Sequence, residues 1–427
     1  MFGSQVPPPG YFEAPLAVVD PEIADALAAE KTRQQDQIEL IASENLVSAA
    51  TLEALGSVIT NKTVEGYPGR RYYGGAENAD VVERLAIERA KDLFDCGYAN
   101  VQPHSGSQAN LAVYVSLLEP GDTVLSMDLS SGGHLSHGSP ANISGKWMNT
   151  VSYGLDPETG RIDYRAVATI AREVRPKLII AGGSAYPRAI DFTQFRQVAD
   201  DVGATLLVDM AHFAGLVAAG IHPSPMDHAH VVTATTYKNL RGARGGLILA
   251  KDPEYGKQFN RAVFPGVQGS VMLNAVAAKA VCLKEAQQSD FEEYARRVLG
   301  NARALAAALI ERGVDVVSGG TDTPIVLVDL RSRGVTGAAA SDLLEEAGLT
   351  ANKNGVPGDT QPPTVTSGLR FGSSAGTARG FGPVEFSRIG HLIADVLDAV
   401  TTDRQGDAVR IARSEVRTIC RAFPIYP

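Results

Sequence analysis

VVTATTYKNLRGARGG, residues 231–246, read together with LLVDMAH, residues 206–212, decides the fold of this chain. An apolar β-type run ends in Asp209, and His212 follows it. A second apolar run ends in a threonine cluster that includes Thr235, and Lys238 comes just after. An Arg/Gly segment then leads into a third run, LILA, 247–250. A lysine just past one strand, 29 residues after an aspartate at the end of another (238 − 209 = 29), suits pyridoxal phosphate chemistry. The amine forms a Schiff base with the cofactor aldehyde. The carboxylate keeps the pyridine nitrogen protonated, so that the ring accepts electrons.

Working outward, residues 81–285 alternate helical stretches with short apolar runs. TVLSM, KLIIAG, TLLVDM, VVTATT and LILA are strand-like. ADVVERLAIERAKDLF, QANLAVYVSLL, YRAVATIAREV and TQFRQVADDVG are helix-like. Alternating β and α predicts an α/β fold with a mostly parallel sheet covered on both faces. Residues 1–80 are expected to form an N-terminal arm and helical segment, with 18–60 helical and PPPG a loose arm. Residues 286–427 are expected to form a connecting helix, 286–310, and a smaller C-terminal α/β domain.

Composition narrows the function classes. The chain has 427 residues, 44% hydrophobic and 20% charged, which is an ordinary globular profile. A net charge of −9, with no basic block, argues against a nucleic-acid partner. No apolar run reaches the roughly 18 residues needed to span a bilayer. The N-terminus lacks the basic and apolar regions of a secretory signal, so no membrane partner and a cytoplasmic location are expected. Cys96, Cys282 and Cys420 are widely spaced and form neither a disulfide framework nor a metal-ligand pattern.

Several side chains carry the chemistry, each with a plainer alternative. Ser105, Gly106 and Ser107 sit in a turn that opens a helix, where free backbone N–H groups and hydroxyls take a phosphate. An ordinary helix cap is the alternative. His134 suits stacking on a cofactor ring, or ordinary loop hydrogen bonds. His212 follows Asp209 and reaches either the cofactor's phenolic oxygen or the substrate, or is a satisfied core histidine. Arg370, in TSGLRFG, suits a bidentate clamp on an amino-acid carboxylate, or a buried salt bridge. Glu65 lies beside Tyr67, Tyr72 and Tyr73 and suits general acid–base work, or a pair with Arg70 or Arg71. Arg244 either helps set the cofactor's environment or pairs with a carboxylate.

At this point the residues resemble the serine hydroxymethyltransferase family over roughly 15–427. The matching segments are IELIASEN (38–45), EGYPGRRYYGG (65–75), ANVQPHSGSQAN (99–110), GGHLSHGSP (132–140), VDMAHFAGLVAAG (208–220), RGGLILAK (244–251), NKNGVP (352–357) and TSGLRFG (366–372). The resemblance implies the fold-type I architecture of pyridoxal phosphate enzymes, like that of aspartate aminotransferase, with sites shared in a homodimer or tetramer. It implies Lys238 as the Schiff-base lysine, Asp209 as the pyridinium partner and His134 as the stacking residue. Ser184 and His212 become partners of the phenolic oxygen or substrate. Ser105, Gly106 and Ser107 become the phosphate cup, and Thr235, Gly269 and Ser270 further cofactor contacts. Ser43 and Arg370 take the substrate carboxylate. Glu65, Tyr72 and Tyr73 are the acid–base and substrate group delivered by a neighbouring subunit. Leu129, Gly133, Leu135 and Asn354 fall at folate-contacting positions, so tetrahydrofolate is the expected cosubstrate.

The departures from the family pattern are Tyr237 for a histidine, Asn239 for a hydroxyl residue and Thr63 for a tyrosine. Pro265–Ser270 replaces PGGQGG, and Ser373–Ser374 follows the clamp glycine in place of Thr-Pro. All fall in or next to cofactor-lining motifs. Losing a tyrosine beside the α-carbon opens room for a methyl group and removes a group that handles the α-proton. On this reading the substrate is 2-methylserine, giving D-alanine and 5,10-methylenetetrahydrofolate. The rivals are ordinary serine–glycine hydroxymethyl transfer, a folate-independent aldolase for β-hydroxy amino acids, and a non-catalytic relative.

Overall fold

The structure is a computed structural model that describes residues 10–402 and 404–426. The expected loose arm at PPPG lies, except for Gly10, outside the described residues. The central sheet has seven strands: β1 (Tyr98–Asn100), β2 (Thr123–Met127), β3 (Asn149–Tyr153), β4 (Leu178–Ala181), β5 (Thr205–Asp209), β6 (Val231–Thr235) and β7 (Gly246–Ala250). Their spatial order is β1-β7-β6-β5-β4-β2-β3. Only β7 runs against its neighbours, so the sheet is mixed and mostly parallel.

Side chains along a strand point alternately to opposite faces. Leu206 and Val208 accordingly join one core, with Leu125, Ile179, Val232 and Leu249. Leu207 joins the other, with Val124, Ile180, Val231 and Ile248. Both faces are apolar, which is why these strands read as unbroken Val/Ile/Leu runs. Crossover helices cover the faces, and aspartates start two of them. Asp163 accepts from the amides of Arg165 and Ala166, and Asp191 from those of Thr193 and Gln194.

The C-terminal sheet is antiparallel, in the order 315–316, 325–329, 368–372, 352–354. Helix Ser289–Glu311 spans two cores. Its Phe291, Tyr294 and Val298 belong to the core of the central sheet. Its Ala302, Leu305 and Leu309 belong to the C-terminal core.

The segment 18–60 is not continuously helical. Helix Pro21–Asp36 ends, and Ile38–Glu39 pairs in parallel with Leu349–Thr350 before helix Ala49–Leu55 begins. Ile38, Leu40 and Ala42 are buried at a period of two, the signature of an extended segment, and Ile38 and Leu40 enter the C-terminal core. Among the described residues, no helix is long and apolar enough to cross a membrane.

Candidate active site

The C-terminal ends of the parallel strands build one wall of a pocket lined by Ser105, Ser107, His134, Ser184, Asp209 and Lys238, with Gly106, Gly183, Ala211, His212, Thr235 and Tyr237 between them. Asp209 closes β5. Its Oδ2 accepts from Asn110 Nδ2 at 2.9 Å and lies 3.0 Å from His137 Nε2. Its Oδ1 accepts from the amide of Ala211 at 3.0 Å. Burial alone would raise this carboxyl. The hydrogen bond and charge of His137, with His134 and Asn110, outweigh burial and hold it well below the usual carboxylate range. Thr233 Oγ1 donates to Asn110 Oδ1 at 2.6 Å, which fixes which way the amide faces.

Lys238 follows β6 and is buried. Desolvation pushes its amine down to about 8, against the pull of Asp209. Its backbone carbonyl accepts from Asn45 Nδ2 at 2.8 Å and from the amide of Arg241 at 3.0 Å. Asn45 also donates to Tyr294 Oη at 2.8 Å. Lys238 is thus tied at its backbone to the N-terminal extended segment and, through Asn45, to the helix that joins the two cores.

Ser105 caps helix Gly106–Leu117, its side chain accepting from the amide of Gln108. A Cβ on Gly106 would lie 2.6 Å from Thr235 Cγ2, so the turn presses on β6 more closely than any side chain allows. His134 Nδ1 accepts from the amide of Ser136 at 3.1 Å. Burial first, then His137, pushes the His134 ring down to about 4, so it is neutral near pH 7. His212 is neutral for the same reason, with burial dominant and Lys238 next. Its buried Nδ1 has no hydrogen-bond partner among the described residues.

Arg370 sits on strand Gly368–Gly372. Nε donates to Asn352 Oδ1 at 3.0 Å and Nη1 to the carbonyl of Ser184 at 2.7 Å. Burial lowers it to about 10, and it stays charged. No carboxylate pairs with it among the described residues, so the buried salt bridge is not what is found. Ser43 lies in the turn after Ala42, and Ala42 packs against Gly372, two residues beyond the arginine.

These features fit pyridoxal phosphate. An ionised carboxylate faces a pocket with a buried amine and a helix N-terminus. A neutral imidazole nitrogen inside is left without a protein partner.

Other expected residues stand apart from this pocket. Tyr72 and Tyr73 are 73% and 48% exposed. Glu65 makes no pair with Arg70 or Arg71. Arg71 instead binds Asp80 at 2.8 Å and Glu83 at 2.5 Å. Gly269 lies beside Glu65, and Ser270 Oγ donates to the carbonyl of Val64 at 3.2 Å. Leu129 and Leu135 are exposed on the loop that carries His134. A Cβ on Gly133 would meet the carbonyl oxygen of Met127 at 2.1 Å. Asn354 ends strand Asn352–Asn354, its Nδ2 donating to the carbonyl of Gly355.

Sequence reasoning missed Asn110, His137 and Asn45. Asn110 lies one turn after the phosphate-type cap, and His137 three residues after His134. Both were visible inside quoted segments, but only the fold aims them at Asp209.

Most departures from the family pattern have local partners. Tyr237 carries the Arg244 guanidinium 4.7 Å from its ring centre. Asn239 Oδ1 accepts from the amide of Gly215 at 2.8 Å. Ser373 Oγ donates to the carbonyl of Val298 at 2.8 Å. Thr63 is exposed and away from the pocket of its own chain.

Residues 16–393 match the family described as serine hydroxymethyltransferase. A protein of that name from Rhodospirillum centenum is 60% identical over 420 residues, 98% of each chain. One from Paramagnetospirillum magneticum is 56% identical over 425 residues, 99% of this chain and 100% of the relative. A "Serine hydroxymethyltransferase 2" from Rhodospirillum rubrum is 57% identical over 419 residues, 98% of this chain and 97% of the relative. The chain belongs to the serine hydroxymethyltransferase family, pyridoxal phosphate-dependent one-carbon transferases that use tetrahydrofolate as cosubstrate.

Proposed function

We propose that this enzyme moves a hydroxymethyl unit between L-serine and tetrahydrofolate, with glycine as the other amino acid. The carrying observation is a half-buried Arg370 with no carboxylate partner among the described residues, bonded to the carbonyl of Ser184, which lines the same pocket as Lys238 and Asp209. The pocket has an amine for a cofactor aldehyde and an anion for its ring nitrogen, and Arg370, bonded to the pocket's Ser184, supplies a cation for an α-carboxylate. Pyridoxal phosphate, when bound, supplies the electron sink that lets a bond at the α-carbon break. Lys238 would hold the cofactor through its aldehyde, and Asp209, oriented by Asn110 and His137, would hold the proton on its ring nitrogen. His134 would stack on the ring. Ser184 and His212 face the phenolic oxygen or the substrate. Ser105, Gly106, Ser107 and Thr235 take the phosphate. Arg370 and Ser43 would fix the carboxylate of the substrate, and so the orientation of its α-carbon.

Glu65, Tyr72, Tyr73, Gly269 and Ser270 act in a neighbouring copy, with Glu65 holding or releasing the hydroxyl proton. The exposure of Tyr72, Tyr73, Gly269 and Ser270, and the absence of all five from the lining of their own pocket, support a homodimer or a larger assembly of dimers. Leu129 and Leu135, exposed and apolar on the His134 loop, with Gly133 and Asn354, offer a surface for the folate ring.

The 2-methylserine preference finds less support. The relatives carry the plain serine name, and Tyr237, Asn239 and Ser373 have structural partners. Thr63, on which the volume argument rests, still favours that reading. The test is turnover of L-serine and of 2-methylserine, each with and without tetrahydrofolate. Folate-dependent formation of glycine, well above that of D-alanine, is the expected result. Dominant D-alanine would restore the 2-methylserine reading, and equal rates without folate would identify an aldolase.

A further inference from the structure

Helix Leu273–Ala286 buries a charge that the proposed reaction does not use. Lys279 is 1% exposed. Its Nζ donates to the carbonyl oxygens of Val101 at 2.7 Å, Pro103 at 2.8 Å and Gly246 at 3.3 Å. Two of these carbonyls belong to the segment that runs into Ser105, and the third opens β7. The two segments also touch each other. The amide of Gly246 donates to the carbonyl of Pro103 at 2.9 Å, and a Cβ on Gly246 would lie 2.3 Å from the carbonyl oxygen of Ser105. Gly245 lies over the lysine stem, where a Cβ would sit 1.9 Å from Cε.

No carboxylate forms an ion pair with Lys279 among the described residues. Glu83, whose field reaches it, is bound to Arg71. Burial pushes the ammonium down to about 7. An apolar side chain of similar volume would fill this helix face without the desolvation cost of a buried charge. Three carbonyls of neighbouring segments reward the ammonium in part, and an anion bound at the turn in front of them would do the rest.

We propose that Lys279 is a positioning residue for the turn Ser105–Ser107. It holds the entering backbone in place and sets a buried positive charge behind the turn for a phosphate dianion. This rests on the reading of that turn as the phosphate cup. The test compares pyridoxal phosphate with pyridoxal, which lacks the phosphate, as ligands of the apoenzyme. Lys279→Met should weaken pyridoxal phosphate about tenfold or more and pyridoxal by less than about threefold. Lys279→Gln keeps N–H donors for the carbonyls without the charge. It carries the same comparison if the methionine variant does not fold, and a smaller selective loss is expected. Equal losses for both ligands, or a lower Tm with both affinities unchanged, would overturn the proposal. Ser107→Ala separates the two layers: if it leaves pyridoxal phosphate affinity intact, the cup reading fails, whatever Lys279 does.

Discussion

The strand-end wall and the 61–75 arm are built to opposite specifications. On the wall, Asp209 has three partners, the Lys238 carbonyl two, and both side chains are buried. On the arm, Tyr72 and Tyr73 stand in the open, and Glu65 has no ion-pair partner among the described residues. A rigid wall suits groups that must hold a cofactor at fixed distance and charge. Such groups gain from being locked by their surroundings, because reorganisation during the reaction is then small. The arm is anchored at Val64, Tyr67 and Arg71: Val64 is buried, the Tyr67 hydroxyl donates to the carbonyl of Asn260, and Arg71 binds Asp80 and Glu83. Its anchored root and exposed tip suit a segment whose working surface is another molecule.

The comparison breaks most visibly at Lys238. Lys238→Ala should lower serine turnover by about a thousandfold or more while the fold survives, as checked by activity and circular dichroism. Next is complementation. Glu65→Gln alone should be nearly inactive. Co-refolded with Lys238→Ala in equal amounts, it should recover about a quarter of wild-type activity, since half of the dimers are mixed and each has one intact site. No recovery would place Glu65 in its own chain's site. Arg370→Lys should raise the KM for serine about tenfold to a hundredfold with less change in kcat, because an ammonium cannot make the bidentate contact. A smaller effect concerns pH. Lys238 attacks an aldehyde only as the free amine, so cofactor capture by the apoenzyme should quicken as pH rises and level off above about 8. Stopped-flow absorbance measures this, and a rate that goes on rising past about pH 10 would contradict a desolvated amine.

The smallest effect is expected at the arm's own departure from the family. A methyl-sized pocket change is worth about 1–3 kcal/mol in selectivity at most. Thr63→Tyr should therefore leave the serine to 2-methylserine ratio of kcat/KM within about threefold of the parent if serine is the substrate. A tenfold or greater rise in that ratio would mean that position 63 shapes a methyl pocket.

By itself the sequence determined the alternation of buried strands and crossover helices, and the polar residues that end them. β5 and β6 fall where TLLVDM and VVTATT were read, because strands buried on both faces must be continuously apolar, and the first polar residue marks the exit. Lys238, Asp209 and the Ser105–Ser107 turn were legible for the same reason. The extended segment 37–48 was misread as helical, although Ile38, Leu40 and Ala42 carry a period of two, because helix formers flank it on both sides. Only the tertiary structure decided that His137 and Asn110 meet Asp209, that Asn45 ties the lysine loop to the N-terminal segment, and that no acid among the described residues pairs with Arg370. Those contacts join residues distant in sequence (72 and 99 positions apart for the partners of Asp209), and no local period or spacing encodes them. They follow from strand order, and strand order is set by packing both apolar faces at once.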